Sequence, residues 1–199
     1  MEKLKTSFIE LLKSTERDGI DKLIEWLEGS DFFTSPASTK YHLNCEGGLL
    51  QHSIHVFDQL ICQLAIDLDV EELPEELTKS AIIVALLHDV CKANFYITKE
   101  RNVKNQKGEW VKEPYYAIDD TLPLGHGEKS VMIIQQFIKL TTDELYAIRW
   151  HMGGFEAKEN YQYISNAFNK SLLAVDLHIA DLKATYISER EDCYEKVSC

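Results

Sequence analysis

The chain has 199 residues and a net charge of −12, with 33 acidic against 21 basic side chains. Apolar residues make up 45% and charged residues 27%, the balance of a globular chain that can bury its own core without disulfides or a structural metal. So acidic a chain argues against broad electrostatic binding to DNA or RNA, which draws on clustered Lys and Arg. A small phosphorylated substrate stays compatible with it, because a metal ion can supply positive charge at one point.

The N-terminal stretch MEKLKTSFIELLKSTERDG is charged and amphipathic, unlike a secretory signal. The five cysteines, Cys45, Cys62, Cys91, Cys193 and Cys199, are odd in number and form no CxxC pair, so reduced thiols in a cytoplasmic protein are expected. Residues 4–14 and 19–28 carry apolar positions at helical spacing, such as Leu4, Phe8, Leu11 and Leu12. A turn-rich stretch follows from Gly29 to Ser38. The segment from Gly48 to about Leu68 reads as a long helix with Leu49, Ile54, Phe57, Leu60, Ile61 and Leu64 turned inward. Glu75 to Lys92 reads as a second helix, apolar all round in its middle and therefore central and buried. Its apolar run, Ala81 to Leu87, is far too short to cross a bilayer, and no membrane span is expected.

Phe95 to Ile118 breaks the helical pattern. Its aromatic and β-branched residues flank the turn Asn105-Gln-Lys-Gly108, which predicts a β-hairpin inserted between helices around residues 95–118. Such an insertion can carry substrate selectivity, decorate the surface, or offer a contact for a homo-oligomer. Helices at about 127–139, 142–151 and 168–188 complete the set. Thr141 or Thr142 ahead of Asp143 and Glu144 has the signature of a helix N-cap. With no repeat and no Gly-, Pro- or Ser-rich linker, residues 1–199 read as one mostly helical domain.

His88 and Asp89 end the buried helix. As a dipeptide the pair is weak. Its place makes it stronger, because a run of Ala, Ile, Val and Leu should not end in two ionisable groups unless they are paired or bound. Metal binding is one solution, since imidazole and carboxylate both suit divalent first-row ions. Adjacent residues face apart on a helix, so an ion would sit where the last turn loosens. His52 follows Gly47-Gly48-Leu-Leu-Gln, His126 lies between Gly125 and Gly127, and His151 lies just before Gly153-Gly154. Asp181 sits among Ile, Ala and Leu and needs a partner; Asp176 is its rival on the same helix, expected in a polar network or in solvent. His55 and His178 are expected to pack behind the site. His42 reads as a surface histidine, Cys91 as a small buried side chain, and Tyr146, Trp150 and Phe155 as core. Glu71, Glu72, Glu75 and Glu76 read as a solvated charge run.

The phrases GGLLQHS, ALLHDVCK, LGHGEKS and LHIADL, in that order, resemble the HD-domain superfamily of metal-dependent phosphohydrolases. The resemblance covers about residues 46–188 and leaves 1–45 as an N-terminal helical extension. It implies an all-α bundle with the site between helices and with His52, His88, Asp89 and Asp181 on the metal. Members with two further histidines, in the places of His126 and His151, hold two ions bridged by the aspartate matching Asp89. The ligand types suit Mn, Fe, Co, Ni or Zn. Two such ions lower the pKa of a shared water and clamp phosphate oxygens. Asp89 and Lys92 are the expected catalytic residues. Lys92, three positions after Asp89, is expected on a substrate phosphate, with Lys129 and Arg149 as further candidates. No GYP-type signature follows the HD pair, so that cyclic-dinucleotide subfamily is not assigned. The activity implied is a phosphohydrolase or phosphodiesterase acting on a nucleotide or related phosphorylated small molecule. The same ligands also serve HD-type di-iron oxygenases. A nucleotide-sensing module that binds without turnover is the non-enzymatic alternative.

Overall fold

Eight α-helices and one two-stranded antiparallel sheet form residues 1–190, the part of the chain that the computed structural model describes. Cys193 and Cys199 lie outside the described residues. The helices are α1 (Glu2–Ser14), α2 (Ile20–Gly29), α3 (Gly48–Leu68), α4 (Glu75–Leu87), α5 (His126–Ile134), α6 (Thr142–Trp150), α7 (Tyr161–Phe168) and α8 (Leu172–Lys183). Between α4 and α5 the chain forms β1 (Tyr96–Lys104) and β2 (Trp110–Ile118), paired in register from Tyr96↔Ile118 to Lys104↔Trp110.

The apolar run of α4 sets the architecture. Every residue from Ala81 to Leu87 is buried. A helix that is apolar on all sides is stable only when surrounded, and α4 packs against α1, α3, α6 and α8. The core runs from Phe8 and Leu12 in α1 to Leu177 and Ala180 in α8. On α3 the inward face is phased around Leu49, Ser53, Val56, Leu60 and Leu64, while Ile54, Phe57 and Ile61 are only half-buried. Thr141 caps α6 in a reciprocal box with Glu144, whose buried carboxylate also pairs with Arg17.

Three boundaries differ from the sequence pattern. The helix expected over 75–92 stops at Leu87. His88 still donates its backbone N–H to Val84 at 3.0 Å, but Asp89 leaves helical geometry (φ −103°, ψ 16°) and Val90–Lys92 form a tight 3-10 turn. The segment expected as one helix over 168–188 is broken at Asn169–Ser171, because Ser171 caps a fresh start by accepting from the N–H of Ala174. A separate α7 precedes the break, and a π-helical turn, Ala184–Ser188, follows α8. That turn closes with the N–H of Glu189 on the carbonyl of Ala184 at 3.0 Å. Finally, α5 ends at Ile134 rather than near 139.

The hairpin stands mostly in solvent, with Trp110, Val111 and Ile118 exposed. No helix among the described residues is long and apolar enough to cross a membrane.

Candidate metal centre

Five segments bring ionisable groups to one place: α3, the end of α4, the start of α5, the end of α6, and α8. Close backbone approach makes this possible. A Cβ on Gly127 would lie 2.2 Å from the carbonyl oxygen of Arg149, so only glycine lets α5 run against α6 and set His126 beside His151. Their ring centroids are 5.1 Å apart. Gly153 has φ +50°, and a Cβ there would meet the ring of His178, which donates from Nδ1 to the carbonyl of His151 at 2.6 Å.

The imidazoles form a continuous string: His42–His52 at 4.8 Å, His52–His88 at 5.3 Å, His88–His151 at 4.9 Å and then His151–His126. The Nδ1 atoms are committed behind the site. His88 donates to the carbonyl of Ala85 at 2.8 Å and His151 to that of Ile148 at 2.7 Å. A carbonyl can only accept, so in both rings Nδ1 carries the proton and Nε2 presents a lone pair. Both Nε2 atoms are buried without a hydrogen-bond partner among the described residues. A buried acceptor left bare is costly, and a cation that takes the lone pair removes that cost.

Asp89 lies at the centre, and its two oxygens face different neighbours. Oδ1 is 2.6 Å from Nε2 of His126 and 3.7 Å from Nε2 of His151. Oδ2 is 3.5 Å from Nε2 of His88, 3.8 Å from Nε2 of His52 and 2.6 Å from the ammonium of Lys92. Asp181 Oδ1 completes the second group, 3.2 Å from Nε2 of His52. Burial would push the Asp89 carboxyl up, but Lys92, His88 and His126 outweigh it and hold the group well below the usual carboxylate range. Burial likewise opposes ionisation of Asp181, and the contact with His52 overcomes it. His88 is driven down to about 3 by burial and is neutral. Burial also disfavours a charged His52, yet Asp181 and Glu189 raise it to about 9. Divalent ions bind ionised carboxylates and bare imidazole nitrogens, which Asp89, Asp181, His88 and His151 already offer; His52, and His126, which Cys91 and Asp89 raise to about 10 against burial, would each release a proton as an ion binds, so the residues present fit the group.

All six expected ligands therefore converge: His52, His88, Asp89, His126, His151 and Asp181. Lys92 joins them, bonded also to the carbonyl of Ala37 at 2.7 Å. Lys129 and Arg149 do not join. Lys129 is buried against Asp120 at 2.7 Å with its ammonium over the Phe95 ring. Arg149 pairs with Glu128 and Glu156 and lies 3.6 Å from the centre of the Trp150 ring, lining a separate groove between α5 and α6.

The remaining expectations divide. His42 is not a surface residue: both ring nitrogens are buried, and the ring covers His52. His178 lies behind the site, as expected, with its Nδ1 on the His151 carbonyl. Phe155 is no core residue but stands 64% exposed at the cavity rim; Tyr146 packs against the core as expected and, with Trp150, lines the α5–α6 groove. The sequence reading also missed Glu189. This carboxylate, just past the π-turn, is 3.0 Å from Nδ1 of His52 and 3.0 Å from Nδ1 of His55, which confirms His55 as a residue behind the site. Glu189 is held at about 2, the two histidines overcoming the effect of burial.

His52, Asp89, His126 and Asp181 open onto a cavity of about 840 Å³ that Tyr41, Phe155, Tyr186 and Arg190 help to line. No hairpin residue lines it. A neighbouring groove of about 720 Å³ between the hairpin and residues 39–44 shares Asn44 with it.

Buried imidazoles and carboxylates that converge on one cavity define a candidate centre for divalent metal ions. The chain belongs to the HD domain family, whose model matches residues 49–185, from α3 through the start of the π-turn. This places it in a superfamily of metal-dependent hydrolases. No curated protein and no solved structure matches the chain.

Proposed function

We propose that the chain is a phosphohydrolase or phosphodiesterase acting on a nucleotide or similar phosphorylated small molecule with two divalent ions. One observation carries the reading: the two oxygens of Asp89 face different imidazole groups, His126 and His151 on one side, His52 and His88 on the other. In this reading His52, His88, Asp181 and Asp89 hold one ion, and His126, His151 and Asp89 hold the other. Two such ions, when bound, supply an activated water and neutralise charge on phosphate oxygens. The chain's own residues do the rest. The tautomers fixed at Ala85 and Ile148 keep two Nε2 lone pairs aimed inward without reorganisation. Lys92, whose ammonium lies against Asp89, turns to a substrate phosphate oxygen when Asp89 is engaged. The exposed rings of Tyr41, Phe155 and Tyr186 at the cavity give a planar base apolar faces to rest on. A cavity of about 840 Å³ suits a nucleotide-sized ligand.

The test is the full chain loaded in turn with Mn, Fe, Co, Ni or Zn and offered a panel of nucleotides and cyclic dinucleotides. Metal-dependent release of phosphate or of a cleaved nucleotide is expected. Metal-loaded protein that leaves the whole panel intact overturns the reading. Oxygen consumption by the iron form without phosphate chemistry moves the site to the oxygenase class.

A further inference from the structure

Cys91 occupies the turn directly after the His88-Asp89 pair, and its side chain is buried. Its sulfur lies 3.3 Å from Nδ1 and 4.0 Å from Nε2 of His126. Donor atoms of Asp89, Cys91 and His126 all fall within 4.8 Å of one another. We propose that Cys91 is itself a ligand of the ion on the His126 side, which then has a thiolate, two imidazoles and one Asp89 oxygen around it. The proposal rests on the two-ion reading above.

Three further observations support it. A metal–sulfur bond of about 2.3 Å and a metal–nitrogen bond of about 2.1 Å put two donors of one ion at most about 4.4 Å apart, so 4.0 Å is within reach. His151 is 1% exposed, and its bare Nε2 lies 3.7 Å from the same Asp89 oxygen that faces His126. An unpartnered donor therefore reaches the same Asp89 oxygen that His126 meets. The sulfur is also held in place: the N–H of Cys91 donates to Oγ of Ser130 at 3.2 Å, one helical turn beyond His126 on α5. The packing that delivers the imidazole delivers the thiol with it.

The contrast within the site is chemical. Of the four imidazoles in the proposed ligand set, His52, His88 and His151 have oxygen atoms at Nδ1, while His126 has sulfur beside it. The His52 side offers only nitrogen and oxygen. The His126 side adds a soft donor, which favours zinc, cobalt or ferrous iron over manganese.

The test uses metal-stripped, reduced full-length protein titrated with Co(II) and followed by metal content and absorbance. Two cobalt ions and a strong sulfur-to-cobalt charge-transfer band in the near ultraviolet are expected. The band should survive replacement of Cys45, Cys62, Cys193 and Cys199 together by serine, and vanish in C91S and in C91A. One cobalt site should then weaken by more than the roughly 10- to 100-fold that loss of a group merely positioning a ligand costs. Two bound ions with no such band, or a band that persists in C91A, overturns Cys91 as a ligand. A single ion with the band supports the ligand and overturns the pair of ions. No cobalt binding overturns both. The unmodified protein's own spectrum decides the point even if a variant fails to fold.

Discussion

Asp176 and Asp181 sit little more than a turn apart on α8 and meet opposite surroundings. Asp181 reaches His52, and its carboxylate is kept ionised against the cost of burial. Asp176 is wholly buried and, as a carboxylate, finds no donor among the described residues. Burial and the nearby carboxylate of Asp67 push it up to about 7, where it can carry a proton and share it with Asp67. Two identical side chains on one apolar helix thus become an anion and an acid. Burial acts the same way on both, and what differs is the company of cationic or donor groups.

The sharpest way to test that contrast is to neutralise each in turn. D181N should remove the ion on the His52 side and lower activity by at least the roughly 10²–10³-fold that loss of one electrostatic stabiliser costs. D176N should leave metal content and turnover unchanged. Metal analysis and steady-state rates on both variants check this, and equal losses would break the distinction.

A smaller effect is expected one step behind Asp181. Glu189 accepts from Nδ1 of His52, so E189A should weaken metal affinity by roughly 10- to 100-fold, and E189Q, which keeps an acceptor oxygen, should recover most of it. Metal titration against a competing chelator reads the difference. Equal behaviour of Ala and Gln would show that Glu189 acts through charge rather than through orientation.

The smallest effect is on stability. The folded-state pKa of Asp176 lies above its ordinary value of 3.8, at about 7. Its contribution is therefore fully present below about pH 3.8 and is lost as pH rises through about 7. Asn does not titrate, so D176N should gain on the wild-type protein between pH 4 and pH 8, by about 1–3 kcal/mol, the cost of a buried unsatisfied group. Urea unfolding at several pH values measures that difference; a gap that does not change with pH would mean the carboxyl stays ionised in the fold.

Three donors were legible because each broke a local pattern, while His52, His126 and His151 stood out only within the ordered phrases shared with HD-domain proteins. His88 and Asp89 ended an apolar helix, and Asp181 interrupted another. The hairpin was legible from its alternating aromatics and its Asn105–Gly108 turn. Other features had no such signal. His42 lies in an irregular loop, where no period predicts that the ring folds over His52. The start of α7 gave no signal because Tyr161–Phe168 is a short helix interrupted by Gln162, Ser165 and Asn166. Lys129 and Arg149 stood close to His126 and His151 in sequence, but helix geometry turned them to carboxylates elsewhere.

Glu189 was hidden for a different reason, which lies in the π-turn. Glu189 is eight residues past Asp181, and at 3.6 residues per turn it would point roughly 80° away from it. A turn closed from Ala184 to Glu189 takes one more residue to come round, so the chain lags by about that amount. The wide turn acts as a phase corrector: it brings a carboxylate from the tail of the helix back into line with Asp181, so that both reach the two nitrogens of His52.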